Sequence, residues 1–243
     1  MRIRNVRLIQ SLLIAMIVIS STFIPNSVVV AQGAFDLGAT TTSRYVWRGI
    51  QMDNGVNIQP YAMYYTDKFS AGAASSVSLT NDFNEISLWL SYKLSTSLVD
   101  MTFYVYDYYY EYAGSDFLNY KGAGDDASVG MHFIETYVEF SSENSPLSFK
   151  LSSVVWNDPD NSVYAEASYS KELGSNISSR FTVGSSLKES REWYYTNKAG
   201  IVNLSYELSK SLRINPDFQL PMSVNTIFNP YGKAFYVVLS LSI

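Results

Sequence analysis

The chain has 243 residues, of which 47% are apolar and only 16% charged, against roughly 25% charged in an ordinary soluble domain. No Cys and a single His exclude a disulfide scaffold, a thiolate zinc site and a cysteine nucleophile, and leave little for His-based metal sites or triads. A formal net charge of −5 argues against a nucleic-acid partner.

The first predicted element is an export leader. Arg2, Arg4 and Arg7 form a basic start, Leu8 to Ile24 is mostly apolar, and Pro25 and Asn26 end the run. Val29-Val30-Ala31 then supplies small residues ahead of a cleavage site between Ala31 and Gln32. Residues 1–31 are therefore expected to be a signal peptide and 32–243 one exported domain. A membrane anchor is the alternative, which Pro25, Asn26 and the small-residue exit disfavour. No later segment offers about 20 continuous apolar residues, so no helix downstream crosses a membrane.

From there the pattern has period two, the mark of strands with one apolar face. About 12 strands are predicted, near 33–50, 56–66, 68–80, 83–94, 96–110, 131–140, 146–156, 161–172, 176–187, 198–209, 211–222 and 233–243. In 83–94, Ile86, Leu88, Leu90 and Tyr92 alternate with Ser87, Trp89, Ser91 and Lys93. In 97–110, Val99, Met101, Phe103 and Val105 alternate with Asp100, Thr102, Tyr104 and Tyr106. Segment 198–209 is expected to turn Val202, Leu204, Tyr206 and Leu208 outward and Ile201, Asn203, Ser205 and Glu207 inward. The last segment sets Phe235, Val237, Leu239, Leu241 and Ile243 against Tyr236, Val238, Ser240 and Ser242. It ends in Ile243, where barrel chains often end in Phe or Trp, with the alternation before it intact.

A soluble sandwich alternates too, but two features favour an all-β, antiparallel transmembrane barrel. The second face is rich in Ser, Thr, Gly and Ala with occasional charges, as a lumen would be. Connections also alternate in length. Short turns are expected at Thr66-Asp67-Lys68, Leu94-Ser95-Thr96, 141–145, 172–176 and Ser209-Lys210-Ser211, and longer loops at 111–130, 157–160, 188–197 and 223–232. Strands can cross lipid only as a closed barrel, because each backbone polar group needs a partner. The 20 Tyr and 4 Trp suit the interfacial belts. The run from Tyr104 to Tyr112 reads as belt plus lumen wall, or as a ladder on which a ligand stacks.

Near the start of the exported part stands Ser43-Arg44-Tyr45-Val46-Trp47-Arg48-Gly49-Ile50, followed by Asp53-Asn54-Gly55 and Gln59. This resembles the opening of the TorF family of porins: Ser-acidic-Tyr-x-aromatic-Arg-Gly, a short turn with Asp and Gly, then Gln. Ser43, Tyr45, Trp47, Arg48, Gly49, Asp53, Gly55 and Gln59 match. Arg44 departs from the acidic residue usual there, and Val56-Asn57 replaces an expected Pro. The close match covers some 25 residues, and the resemblance implies a barrel assigned a porin role. By alternation alone, Phe35, Leu37, Tyr45 and Trp47 are expected to face lipid, and Arg44 and Arg48 the lumen.

The alternation gives an inward set: Asp36, Arg44, Arg48, Gln59, Trp89, Lys93, Asp100, Tyr104, Glu135, Glu139, Lys150, Glu166, Arg180 and Glu207. These are candidates for pore lining or a constriction, or for a structural network holding the lumen together. No catalytic residue, metal ligand or cofactor is expected. Barrel enzymes relying on a His would need His132, whose alternation places it on the lipid face near the upper rim, away from any nucleophile. Asp116, Asp125 and Asp126 in the 111–130 loop fit no EF-hand-like calcium spacing. The expected function is passive diffusion of small hydrophilic solutes through a porin-like channel in a bacterial outer membrane. Its partners would be membrane lipid, small polar solutes and the barrel-assembly machinery. The alternative is a structural or adhesive barrel with a filled lumen and ligand-binding surface loops.

Overall fold

The computed structural model describes residues 33–111, 115–122, 130–215 and 218–243. The expected leader 1–31 with its cleavage site between Ala31 and Gln32, and Asp125 and Asp126, lie outside the described residues. The strands are β1 (Ala34–Thr42), β2 (Tyr45–Trp47), β3 (Ile50–Asp53), β4 (Asn57–Tyr65), β5 (Phe69–Ser78), β6 (Asn84–Ser95), β7 (Asp100–Tyr110), β8 (His132–Ser141), β9 (Leu147–Trp156), β10 (Val163–Gly174), β11 (Ile177–Ser186), β12 (Gly200–Arg213), β13 (Gln219–Asn229) and β14 (Ala234–Ser242). Twelve of them close into a barrel, in the order β1-β14-β13-β12-β11-β10-β9-β8-β7-β6-β5-β4. Consecutive barrel strands pair antiparallel, and β1 closes the cylinder through Thr40↔Ser242 on one side and Thr40↔Gln59 on the other. Closure removes every sheet edge, the condition for strands to sit in hydrocarbon.

The outward face is the apolar face of the alternation. Leu88, Leu90 and Tyr92 on β6, Phe103 and Val105 on β7, Leu147, Phe149 and Leu151 on β9, and Phe235, Val237, Leu239 and Leu241 on β14 are all exposed on the isolated chain. In water such a belt would be an aggregation surface, whereas lipid covers it without cost. No helix among the described residues is long and apolar enough to cross a membrane. The inward face carries small polar residues, tied across strands by hydroxyl pairs such as Ser70–Ser91 at 2.6 Å, Ser168–Thr182 at 3.0 Å and Ser178–Ser209 at 2.7 Å.

Three expectations are corrected. The segment 33–50 is not one strand. β1 stops at Thr42, and β2 and β3 form a separate two-stranded sheet. The chain leaves the wall at Ser43, whose N–H and Oγ clasp Leu239 of β14 at 2.9 and 3.0 Å. Arg48 and Gly49 then turn at φ +48° and +82°. Second, β12 runs to Arg213, so Ser209-Lys210-Ser211 is strand rather than turn, and the turn falls beyond it, where the Ile214 N–H meets the Phe218 carbonyl. Most of the loop expected at 223–232 is accordingly the second half of β13. The alternation through Leu208 and Leu212 continues the strand, and Asn215-Pro216-Asp217 carries the stronger turn chemistry. Third, Val202 faces inward and Ile201 is exposed, because the β11–β12 register shifts between Gly184 and Ser185. One extra residue inverts the face of everything beyond it.

Candidate functional site

The hairpin β2–β3 connects β1 to β4 and folds into one mouth of the barrel, where it touches most of the wall. Its turn places Arg48 at the centre. The guanidinium reaches Glu135 of β8 through two bonds, Nη1 to Oε1 at 2.5 Å and Nη2 to Oε2 at 3.0 Å. Nη1 also donates to Ser152 Oγ at 3.1 Å and Tyr194 Oη at 2.8 Å, while Tyr108 Oη donates to Glu135 Oε2 at 3.0 Å. The side chains are 8% and 0% exposed. Two charges this far from water are tolerated only with paired, saturated bonding, which the fork geometry supplies. The flat cation also lies 4.3 Å from the Trp47 ring centre and 4.7 Å from that of Tyr164.

Around this pair the hairpin packs as a small core. Ile50, Tyr164, Tyr194 and Val202 are buried, with Trp47, Met52, Trp193 and Tyr231 against them. Trp47 stacks on Tyr194 at 5.7 Å and meets Trp193 edge-on at 5.7 Å. Gly49 lies so close to β12 that a Cβ there would collide with the Val202 carbonyl, and its own carbonyl accepts a bond from Asn229 Nδ2 at 3.1 Å. At the other end, the Asp53 carboxylate accepts bonds from Asn57 Nδ2 at 2.7 Å, Ser78 Oγ at 2.8 Å, Asn81 Nδ2 at 2.7 Å and the Gly55 N–H at 3.1 Å. Burial alone would raise this carboxyl; the four donors outweigh it and hold it below the ordinary carboxylate range. Tyr45 Oη donates to Glu85 of β6 at 3.2 Å. Tyr45 and Trp47 therefore face protein inside the barrel, not lipid as expected. A strand alternation was extended over residues that had left the wall.

The middle of the barrel is differently built. Below the hairpin, β6, β7 and β8 present a wall of rings. Trp89 stacks on Tyr106 at 5.7 Å, Tyr104 on Tyr137 at 4.3 Å, and Tyr106 on Tyr137 at 5.6 Å and on Tyr108 at 5.5 Å. Trp89, Tyr104, Tyr106 and Tyr137 are half-buried rather than sealed. The Trp89 ring lies over Gly72 of β5, where a Cβ would strike it, so the missing side chain is what lets the ring lie flat. Next to the rings runs a charged row: Glu139 and Lys150 are register partners 3.9 Å apart, and Glu166 is the next partner of Lys150. Lys150 Nζ sits 5.0 Å from the Tyr137 ring centre.

The remaining members of the sequence-derived set are dispersed. Asp36 accepts a bond from Tyr61 Oη at 3.2 Å, and Gln59 donates to Ser76 Oγ at 3.1 Å. Lys93 and Asp100 pair at 2.7 Å beside the β6–β7 turn. Glu166 accepts from Tyr164 Oη at 2.7 Å, and Arg180 and Glu207 are register partners across β11–β12. Arg44 belongs to the hairpin and donates to Gln51 Oε1 at 3.3 Å. The structure thus joins Arg48 to Glu135, brings Trp89, Tyr104, Glu139, Lys150 and Glu166 to one wall, pairs Lys93 with Asp100 and Arg180 with Glu207, and leaves Asp36, Arg44 and Gln59 apart from these groups. Sequence reasoning missed Tyr194 and Tyr164, and left Tyr108, read only within the Tyr104–Tyr112 run, and Asp53, read only within the TorF-like segment, out of the inward set. Tyr108 and Tyr164 share the inward parity of Tyr106 and Glu166 and were findable; Tyr194 comes from an irregular loop with no periodicity to read.

His132 does lie outward but is buried, and protein covers it rather than lipid. Nδ1 faces Asp107 at 2.8 Å, Nε2 faces the Phe117 carbonyl at 2.6 Å, and Tyr120 stacks on the ring at 3.8 Å. Burial, ahead of the bond to Asp107, pushes the Tyr120 hydroxyl up to about 12. Neither ring nitrogen meets a nucleophile.

No protein-family model matches the chain, and no curated protein matches it. Among solved structures it is similar to the KdgM porin, with a TM-score of 0.52 at 6% identity over 86% of this chain and 98% of that one. It is also similar to the COG4313 outer membrane channel from Pseudomonas putida F1, with a TM-score of 0.41 at 12% identity over 90% and 98% of the two chains. A third is the outer membrane protein OpdK from Pseudomonas aeruginosa, at 0.43 and 10% over 89% and 67%. At such identities the likeness to the KdgM porin speaks for the fold, a closed outer-membrane-type barrel.

Proposed function

We propose that this chain is an outer-membrane channel passing small hydrophilic solutes by diffusion, with the β2–β3 hairpin as the constriction at one mouth. The observation that carries this is the closed twelve-stranded barrel with an apolar outer belt and a polar inner face on which Lys93, Glu139, Lys150 and Arg180 stay partly or fully exposed below the hairpin. Arg48, Glu135, Glu139, Lys150 and Glu166 then set the polarity of the path. The resemblance to TorF-family porins supports the reading from a second side. Of the matching residues, Ser43 clasps β14, Tyr45, Trp47, Arg48 and Gly49 seat the hairpin, Asp53 and Gly55 anchor its far end, and Gln59 bonds β5. Those residue types are the parts from which this constriction is made. Export through the leader, cleavage after Ala31 and insertion by the barrel-assembly machinery belong to the same proposal.

Planar-bilayer recording of the purified folded protein is the test. Discrete current steps, small for a barrel of this size, are expected; silence at every voltage rejects a channel. The packing of the hairpin across its mouth favours a second reading, a filled structural barrel that binds through surface loops. In that case, replacing the exposed Arg191, Glu192 and Tyr195 with Ala abolishes surface binding and no variant conducts.

A further inference from the structure

The outward face of β7 carries a charge where its neighbours are apolar. Phe103, Val105, Asp107 and Tyr109 share that face, and Phe103 and Val105 belong to the exposed belt. Asp107 is the register partner of Leu88 on β6 and of Ile134 on β8, and the next outward residue, Tyr109, pairs with Ile86 and His132. The carboxylate is thus set among belt residues. Facing hydrocarbon, an ionised carboxylate is costly. Here it is not bare, for its side chain is 17% exposed and that of His132 1%. The cover is the segment 115–121, which lies against the outside of the wall. Tyr120 donates to Asp107 Oδ2 at 2.8 Å and stacks on the His132 ring, and the Phe117 carbonyl meets His132 Nε2. Phe117 also lies edge-on to Tyr109 at 5.0 Å. On its far side the segment is apolar: Leu118 is 79% exposed, and Phe117 and Tyr120 are exposed with it. Gly122 then lies against the ring of Trp156, an exposed residue and the register partner of Ile134.

We propose that residues 115–121 are a membrane-seated flap, with Phe117, Leu118 and Tyr120 inserted into the lipid leaflet at the hairpin end of the barrel. Lipid is the partner because the patch is continuous with the belt through Val105, Ile134 and Trp156, at the level of Leu88. An apolar segment carrying aromatic rings is suited to the boundary between headgroups and acyl chains. The Asp107–His132 pair then staples the flap to the wall, and the flap keeps that pair from lipid. The inference concerns the outside of the cylinder and stands whether or not the lumen conducts.

The chain has no Cys, so Leu118→Cys takes a single label. Nitrobenzoxadiazole on that Cys, in the folded protein reconstituted in phosphatidylcholine vesicles, reads its surroundings. The reference is the same label on Glu192→Cys, an exposed site in the 188–197 loop. At Leu118→Cys the emission is expected to be blue-shifted, with quenching by doxyl lipids severalfold stronger and by aqueous iodide severalfold weaker than at the reference. Leu118 projects from the segment, so the label leaves the contacts to the wall in place, and heat-modifiable gel mobility verifies folding. Equal iodide quenching at the two sites overturns the inference. Shielding from both quenchers overturns it too, since protein would then cover the patch. With His132→Ala added, the staple is lost and the Leu118→Cys label should shift toward the iodide-accessible behaviour of the reference. Unchanged lipid quenching in that folded variant removes the staple from the proposal.

Discussion

The two halves of the lumen are made from similar residues and behave differently. At the hairpin end, Trp47, Tyr108, Tyr164 and Tyr194 are packed around a charge pair with 8% and 0% exposure. Below it, Trp89, Tyr104, Tyr106 and Tyr137 stack on one another and are only half-buried, and the Lys150–Glu139 pair is 23% and 32% exposed. The difference is the hairpin. Where a second layer of chain enters the cylinder, lumen side chains become core and their charges must be matched; where none enters, the same wall stays wet and its charges can be looser. An inserted segment therefore turns part of a β-barrel into an interior with the energetics of a soluble protein.

The largest change should come from removing that layer. Replacing residues 44–54 with a short Gly-Ser linker should raise single-channel conductance severalfold while the barrel retains its heat-modifiable mobility. Unchanged conductance would mean the hairpin does not limit the path. Breaking the central pair comes next. Arg48→Ala leaves Glu135 buried and unpaired, a loss of about 3–5 kcal/mol, read as a lower urea midpoint together with noisier, larger currents. The same substitution at Lys150 lies in the wetter half and should cost no more than about 1 kcal/mol, so equal losses would erase the distinction between the halves.

A smaller effect is expected at the turn. Gly49→Ala puts a methyl against the Val202 carbonyl at φ +82°, a strain of about 1–3 kcal/mol, and should weaken the hairpin without altering the outer belt. The mildest is pH dependence at the far anchor. Because the folded protein holds Asp53 below the ordinary carboxylate range, its contribution is complete above about pH 4 and is lost as the pH falls through the lowered value. Hairpin opening, followed as added conductance, should therefore rise only on strong acidification. Asp53→Asn should show it at neutral pH and lose the acid step.

Much of the fold could be read from the chain because a barrel wall has a local rule. Period-two alternation in β6, β7 and β14 needs no knowledge of distant residues, and it gave a barrel of twelve strands with these faces. The same rule failed wherever the chain stepped off the wall or slipped by one residue. It carried Tyr45 and Trp47 outward, ended β12 early and turned Val202 to lipid. The inward set shows the same boundary. Glu139, Lys150 and Glu166 could be placed on one face by parity, but their meeting in a row depends on the β8–β9–β10 register. That Arg48 meets Glu135 across 87 residues depends on β1 pairing with β4 around the base of the hairpin. Only closure of the cylinder sets that geometry. The residues thus determined which side of each strand prefers hydrocarbon, a property of neighbours in sequence. The tertiary structure decided what fills the inside, because the space there exists only once the first barrel strand has found the last.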